Sequence, residues 1–262
     1  MKISNILFAT IIAGALLSCK KENTIELHQG FNASIKPHSS KLLVKEIFSG
    51  YYADTISFAY NAQDRLITSA NKEDQYSFIY NNNTVNIKDW RPLENRDVYD
   101  LSANLNADNT ISGGQGSVSY LLNSPYNTNT TFIYDNQGYL IKKTDARTNA
   151  MIAEEKYFYA HGDLIQINYY ENGVLVNTFK IEYSNFLDKT NISIVKFDCL
   201  VDALFGKSSL HLISNIKVYN TENLMTTNEI FTYQLDAGGY PVSGTIDYGL
   251  GHVVNVKYSY NK

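Results

Sequence analysis

The chain has 262 residues, with 22 Lys and Arg against 26 Asp and Glu, which gives a formal net charge of −4. This mild acidity argues against a nucleic-acid partner, which would require a basic face to neutralise phosphates. Hydrophobic residues make up 44% and charged residues 18% of the chain, a balance that excludes a disordered polyelectrolyte. The chain combines strand formers with turn formers, since it has 21 Tyr, 12 Phe and 29 Asn but only 4 Pro, and this predicts an all-β protein.

Residues 1–18 have the pattern of a signal peptide. A single basic residue, Lys2, precedes an apolar run from Ile6 to Leu17, which at about 1.5 Å per residue is too short to cross a hydrocarbon core of roughly 30 Å. The run ends at Leu16-Leu17-Ser18-Cys19, which resembles the lipobox of bacterial lipoproteins, where a lipid is attached to the Cys thiol and the chain is cleaved just before it. We therefore expect Cys19 to be the lipid attachment residue. The alternative is an ordinary secretory peptide with a chance cysteine.

Residues 19–40 are polar, contain Pro37 and have no clean periodicity, so we predict a flexible tether. The residue after Cys19 is Lys20, not the Asp of an inner-membrane retention signal. The lipoprotein resemblance therefore implies a lipid anchor in the outer membrane, in a leaflet that the sequence leaves open. Acylation would leave Cys199 as the one remaining cysteine, and its apolar neighbours favour a small buried side chain over a nucleophile.

Residues 41–262 contain a recurring hairpin pattern and no evident linker. Each instance has a strand that ends in two aromatic residues, a short turn rich in Asn, Asp and Gly, and a second strand that starts with aliphatic residues. The instances are Phe58–Ile67, Phe132–Ile141, Phe158–Ile165 and, more loosely, Phe231–Val242. Strand-end tyrosines recur every 20 to 25 residues, which predicts one large antiparallel meander, a curved or barrel-like sheet, with on the order of 14 to 17 strands.

Three stretches interrupt the predicted strands. Leu200, Val201, Leu204 and Phe205 have helical spacing before Gly206, which predicts one short helix near 198–206. The loop around Trp90-Arg91-Pro92-Leu93 and the stretch Gly113-Gly114-Gln115-Gly116 are predicted as the other breaks.

The hairpin pattern resembles the Tyr-Asp repeats of Rhs-type wall and shell proteins, although it is less regular. It is more similar to a family of bacterial lipoproteins whose domain, of uncharacterised function, has a porin-like fold. The resemblance rests on the lipobox, Tyr134–Gly138, Leu204–Ser209 and Tyr233–Val242, and it spans most of residues 41–262. It implies a large antiparallel sheet, curved or barrel-like, and it supplies no activity.

The sequence predicts no metal site, cofactor or catalytic residue. The five His, at 28, 38, 161, 211 and 252, are scattered singly, and Asp135-Asn136-Gln137-Gly138 is typical of an Asx turn rather than a calcium loop. No phosphate-binding or nucleophile motif occurs. Three acidic pairs remain, Glu154-Glu155, Asp97 with Asp100, and Asp198 with Asp202, and neighbours such as Glu154 and Glu155 point to opposite faces of a strand.

A stripe of tyrosines is the one abundant feature that could bind a ligand. Each member lies two residues after another aromatic residue, so the pair shares one face of its strand. We predict Tyr60, Tyr134, Tyr159 and Tyr233 as ligand-stacking residues. The alternative is that these rings pair across strands and stabilise the sheet.

The sequence favours a lipid-anchored, non-catalytic binding or scaffold module of the cell envelope, with a glycan, a peptide or an envelope protein as partner. The alternative is an envelope hydrolase or lyase acting on glycans, which would gather residues such as Glu154, Asp198 and His211 in one cleft. A transmembrane barrel is disfavoured because segments such as Thr55–Tyr60 and Gln75–Tyr80 are shorter than a membrane-spanning strand of roughly 9 to 11 residues and are often polar.

Overall fold

The computed structural model describes residues 16–18, 41–119, 126–148, 150–189, 192–194 and 202–261. The predictions for the tether, Cys19 and Cys199 lie outside these residues. The strands are β1 (Leu16–Ser18), β2 (Leu43–Gly50), β3 (Asp54–Tyr60), β4 (Leu66–Ala70), β5 (Gln75–Asn81), β6 (Thr84–Arg91), β7 (Arg96–Leu105), β8 (Ile111–Val118), β9 (Tyr126–Tyr134), β10 (Leu140–Arg147), β11 (Ile152–Ala160), β12 (Asp163–Glu171), β13 (Val174–Leu187), β14 (Ile192–Ile194), β15 (His211–Tyr219), β16 (Met225–Leu235), β17 (Pro241–Asp247) and β18 (Val253–Tyr260).

Sixteen of these strands, β2 to β13 and β15 to β18, form a closed antiparallel barrel. Each strand pairs with the barrel strands before and after it in the chain, and the barrel closes where β18 pairs with β2, with Lys257 opposite Ile47. The short strands β1 and β14 pair with each other outside the barrel. The predicted all-β antiparallel meander is therefore confirmed, and its two ends meet to close the sheet.

The barrel has an apolar inside and a polar outside, as the alternation in its strands requires. In β18, Val254, Val256 and Tyr258 are buried, whereas Asn255 and Lys257 between them are exposed. Most other strands show this alternation, although outward residues such as Ile133, Ile141 and Ile165 are apolar. The inward residues form one continuous core that includes Phe58, Phe78, Ile87, Leu101, Phe132, Ile167, Ile216, Phe231 and Val256. The barrel is thus filled with side chains, and its predicted wet face is the outer wall.

Because successive strands alternate in direction, the turns fall into two sets, one at each end of the barrel. The first rim carries the turns at 61–65, 82–83, 106–110, 135–139, 161–162 and 236–240, and the second rim carries those at 51–53, 71–74, 92–95, 148–151, 172–173, 220–224 and 248–252. The Asx prediction for Asp135 is confirmed, since its Oδ1 accepts hydrogen bonds from the backbone N–H groups of Gln137 and Tyr139, both at 2.9 Å.

A short 3-10 helix, η1 (Asp202–Phe205), lies within the stretch predicted to be helical, and residues 195–201 fall outside the described ranges. Phe205 is buried against Phe132, with ring centroids 5.5 Å apart. The next residue, Gly206, has φ +86°, and a Cβ there would lie 2.5 Å from the carbonyl oxygen of Gly138. Only glycine fits at this position, where the segment after η1 packs against the β9–β10 hairpin.

The prediction of a break at Gly113–Gly116 is wrong, because these residues lie inside β8. A Cβ on Gly114 or Gly116 would lie 2.4 or 2.5 Å from the carbonyl oxygens of Ser102 or Asp100 on β7. The glycines therefore allow close approach of two backbones and do not mark a turn. The predicted loop near Trp90 begins two residues later, since β6 continues to Arg91. In the described part of the chain no helix is long and apolar enough to cross a membrane.

Candidate functional site

The structure places all four predicted stacking residues near the first rim, half-buried and packed against the core. Tyr60 lies at the end of β3, Tyr134 at the end of β9, Tyr159 near the end of β11, and Tyr233 near the end of β16. The prediction that each shares a face with the preceding aromatic residue agrees with the common burial of Phe58 and Tyr60 and of Phe132 and Tyr134.

Two of the four hydroxyl groups, those of Tyr60 and Tyr134, make hydrogen bonds within the barrel. The Tyr60 hydroxyl donates to the carbonyl oxygen of Leu43 at 2.7 Å, and the Tyr134 hydroxyl donates to that of Ile111 at 2.8 Å. Burial raises the pKa of both Tyr134 and Tyr233, so these phenols stay neutral. These contacts give the stripe a role in stability, and its ligand-stacking role stays a prediction.

A polar network lies on the inner wall, where β10 meets β11. Lys143 is only 2% exposed, and its ammonium lies 3.0 Å from Asp145 and 3.5 Å from Glu155. Tyr157 donates a short hydrogen bond to Glu155, and Thr130 donates to Asp145 at 2.6 Å. Burial, reinforced by Glu155, raises the pKa of Tyr157 well above its usual value. A buried lysine is thus neutralised by two carboxylates that are themselves hydrogen-bonded.

Two further glutamates are buried inside the barrel. Within the described part of the chain, both carboxylate oxygens of Glu46 and the Oε1 atom of Glu229 have no hydrogen-bond partner. Burial raises the pKa of Glu46 and raises that of Glu229 to about 7. Burial therefore shifts both side chains toward the protonated form, and the sequence alone did not single them out.

The acidic pair Glu154-Glu155 separates in the structure. Glu155 points inward to Lys143, whereas Glu154 lies on the outer wall beside Lys142 and Lys156, as expected for neighbours on a strand. His211, at the first-rim end of β15, has its Nδ1 atom 2.8 Å from Asp163, and Asp163 also accepts from the backbone N–H of Leu210 at 2.6 Å. The structure does not bring Glu154 and His211 into one cleft, and Asp198 lies outside the described residues.

No group of three or more His, Cys, Asp or Glu that could hold a metal ion is present among the described residues. Sequence reasoning missed a groove of about 640 Å³ that crosses β7 to β10. Its exposed lining consists mainly of small amide and hydroxyl side chains, among them Ser102, Gln115, Ser117, Asn127, Asn129 and Thr148. The period-two pattern of β8 and β9 could have located these residues if the glycines of β8 had not been taken for a break.

Comparison with known proteins identifies the fold. No protein-family model matches the chain, and no curated protein is significantly similar to it. Among solved structures, a porin-like protein from Bacteroides vulgatus ATCC 8482 superposes with a TM-score of 0.62 at 13% identity, over 84% of this chain and 99% of that one. A porin-like protein from Bacteroides uniformis ATCC 8492 gives a TM-score of 0.59 at 13% identity, over 85% of this chain and 97% of that one. The chain therefore has a porin-like fold.

Proposed function

We propose that the chain is a lipid-anchored, non-catalytic barrel of the bacterial cell envelope. In this proposal Cys19 holds it at the outer membrane, and the barrel acts as a binding or scaffold module for a glycan, a peptide or a partner protein. The lipobox and the porin-like fold support the envelope location. The proposal rests above all on the polarity of the barrel wall.

The outer wall carries charged pairs where a membrane barrel would carry an apolar band. Lys88 and Asp100 form an ion pair at 3.1 Å between β6 and β7. Glu154 on β11 pairs with both Lys142 and Lys156. Charges on a lipid-facing wall are strongly destabilising, and lipid-facing strands need an apolar band about 25 Å tall. These charges support an outer wall that faces water rather than lipid, although the wall also carries exposed apolar residues such as Ile133, Ile141 and Ile165.

The groove across β7 to β10 gives this module a surface for hydrogen bonding. Amides such as Asn127, Asn129 and Gln115 both donate and accept, which suits a ligand rich in hydroxyl groups or backbone amides. Catalysis would need a positioned nucleophile or acid–base pair. The groove lining offers one acid, Asp100, and it already pairs with Lys88.

Two experiments test the proposal. The Cys19→Ala variant should lose both acylation and cleavage before residue 19, whereas a variant that is still cleaved there and stays membrane-bound would refute the anchor. The chain from Lys20 onward retains all sixteen barrel strands and should fold in water without detergent, with a β-rich circular dichroism spectrum.

Binding is then screened on this chain with envelope glycans and extracts. Asn129→Ala should weaken a ligand held in the groove, and Lys257→Ala, an exposed position on β18, serves as the matched control. Equal affinity of both variants and the parent chain would remove the groove from the proposal.

A further inference from the structure

The two rims of the barrel differ in the residues at the tips of their turns. The described first-rim turns are rich in Asn, Asp and Gly, and none of them carries or directly flanks a large apolar side chain that is more than half exposed. Phe186 (48%) and Leu187 (41%), at the end of β13, come nearest to that limit. At the second rim, five of the described connections carry or directly flank such side chains. Those more than half exposed are Tyr51 (59%), Leu93 (69%), Val174 (65%), Leu224 (57%), Met225 (54%) and Leu250 (98%).

We propose that the second rim docks onto the surface of a lipid bilayer and inserts these side chains among the lipid headgroups and upper acyl chains. The turns at one end of the barrel can all contact a flat surface at the same time. Side chains spread around the barrel wall cannot. Leucine, methionine and valine gain free energy when they leave water for the apolar boundary of a bilayer, and tyrosine favours its interface.

The β17–β18 turn carries the most exposed of these residues. Leu250 has φ +54° and lies between Gly249 and Gly251, both at φ +82°. Asn, Asp or Gly would relieve the strain of a left-handed backbone there, and each would be better hydrated. A leucine that is strained and 98% exposed gains little from the described barrel, which favours a partner beyond it.

The neighbouring turn supports the same orientation. The ring of Tyr51 stacks on that of His252, with centroids 4.0 Å apart and planes 14° from parallel. This stack joins the β2–β3 and β17–β18 turns and holds an amphipathic ring beside Leu250.

A bilayer fits this rim better than a second copy of the chain. The apolar tips belong to separate turns and alternate with polar residues such as Glu94, Asn95, Glu222 and Asn223. A stable protein interface buries roughly 1,200 to 2,000 Å² of continuous, complementary surface, whereas lipids adapt to separate side chains. The acidic residues also predict that docking depends little on anionic lipids or on salt concentration.

The tether is long enough for this arrangement. The described barrel begins at the first rim, where Lys41 pairs with Asp236 at 2.7 Å. The 22 residues from Cys19 to Lys41 can extend to at most roughly 75 Å, and an eight-residue strand such as β2 spans roughly 26 Å. An anchor at Cys19 and the second rim can therefore reach the same leaflet. Only this step rests on the proposed anchor.

Tryptophan fluorescence tests the docking directly. In the full chain, Trp90→Phe removes the one natural tryptophan, and Leu250→Trp or Ile165→Trp then places a single reporter at the second rim or on the outer wall. Ile165 is 41% exposed and belongs to a patch on β9 to β12 with Ile133, Ile141 and Phe158. Each protein is mixed with phosphatidylethanolamine–phosphatidylcholine vesicles whose acyl chains carry bromine, a contact quencher.

The reporter at position 250 should shift to the blue and lose at least about half of its emission, and the reporter at position 165 should change little. Equal quenching at both positions, quenching only at 165, or none would overturn the proposal. A concentration-dependent dimer that shields position 250 in the absence of lipid would also overturn it, in favour of a second copy. The intact mass of the same preparation reports acylation at Cys19 separately, so a failure of the anchor is distinguished from a failure of the rim.

Discussion

The hydroxyl of Tyr134 donates a hydrogen bond to the carbonyl oxygen of Ile111 at 2.8 Å and joins the end of β9 to the start of β8. The Tyr134→Phe substitution keeps the ring and leaves this carbonyl without the phenol. We expect the free energy of unfolding to fall by about 1 to 2 kcal/mol in urea titrations.

Tyr51→Phe is the matched control, since Tyr51 is 59% exposed and the variant should stay within about 0.5 kcal/mol of the parent. The same proteins also test the predicted stacking role of the stripe. If Tyr134→Phe and Tyr134→Leu kept full stability but lost affinity for a ligand found by screening, the ring would belong to a binding site and our structural interpretation would be wrong.

Gly206 and Gly249 separate the cost of backbone strain from that of a steric clash. Both have positive φ, +86° and +82°, but a Cβ on Gly206 would lie 2.5 Å from the Gly138 carbonyl oxygen, whereas one on Gly249 has nothing within 4 Å. Gly249→Ala should therefore cost about 1 kcal/mol, and Gly206→Ala about 3 kcal/mol or more. Thermal unfolding measures both, and equal losses would show that the segment after η1 does not pack against the β9–β10 hairpin as described.

The sequence predicted the strands well because their burial is one-sided. The alternation in Val253–Tyr258 and the turn at Asn172-Gly173 both result from local chemistry, so they can be read from short windows. Closure between β2 and β18 joins the two ends of the domain, with partners such as Lys45 and Ser259 more than 200 residues apart. No local pattern encodes that pairing, and only the barrel-like resemblance pointed to it.

The functional residues were harder to predict because their surroundings also depend on contacts between residues far apart in the sequence. Period two places Phe58 and Tyr60 on one face but does not reveal whether that face is the core or the surface. Likewise, the contact between Lys143 and Glu155 requires the register of two strands, and the burial of Glu46 and Glu229 depends on the closed barrel. The glycines of β8 were misinterpreted because close backbone approach and a turn favour the same residue.

We predict that Lys143 stabilises the folded protein only while its two carboxylate partners are present. Lys143→Met removes the buried cation and leaves Asp145 and Glu155 facing each other, so we expect a loss of about 3 kcal/mol at neutral pH. Adding Asp145→Asn and Glu155→Gln should restore most of the lost stability. A triple variant as unstable as the single one would show that the loss comes from packing rather than from charge.

Glu229 should make the barrel less stable as the pH rises. Burial raises its pKa from 4.5 to about 7, so between these values the folded protein keeps a proton that the unfolded chain has released. The stabilising contribution is complete below about pH 4.5 and is lost as the pH rises through 7. Above pH 8 the full shift corresponds to about 3 kcal/mol, and Glu46, whose pKa burial also raises, acts in the same direction.

Glu229→Gln replaces the carboxyl group with a neutral group of similar shape and isolates this contribution from the other titrating groups. At pH 5 the variant should be more stable than the parent by less than about 1 kcal/mol, because Glu229 is protonated in the fold and only the unfolded chain has released its proton. At pH 8.5 the variant should be more stable by about 2 to 3 kcal/mol. Glu222→Gln, in an exposed turn, is the control and should give no such pH-dependent difference. A difference for Glu229→Gln that stayed constant from pH 5 to 8.5 would mean that the carboxyl group does not titrate inside the barrel.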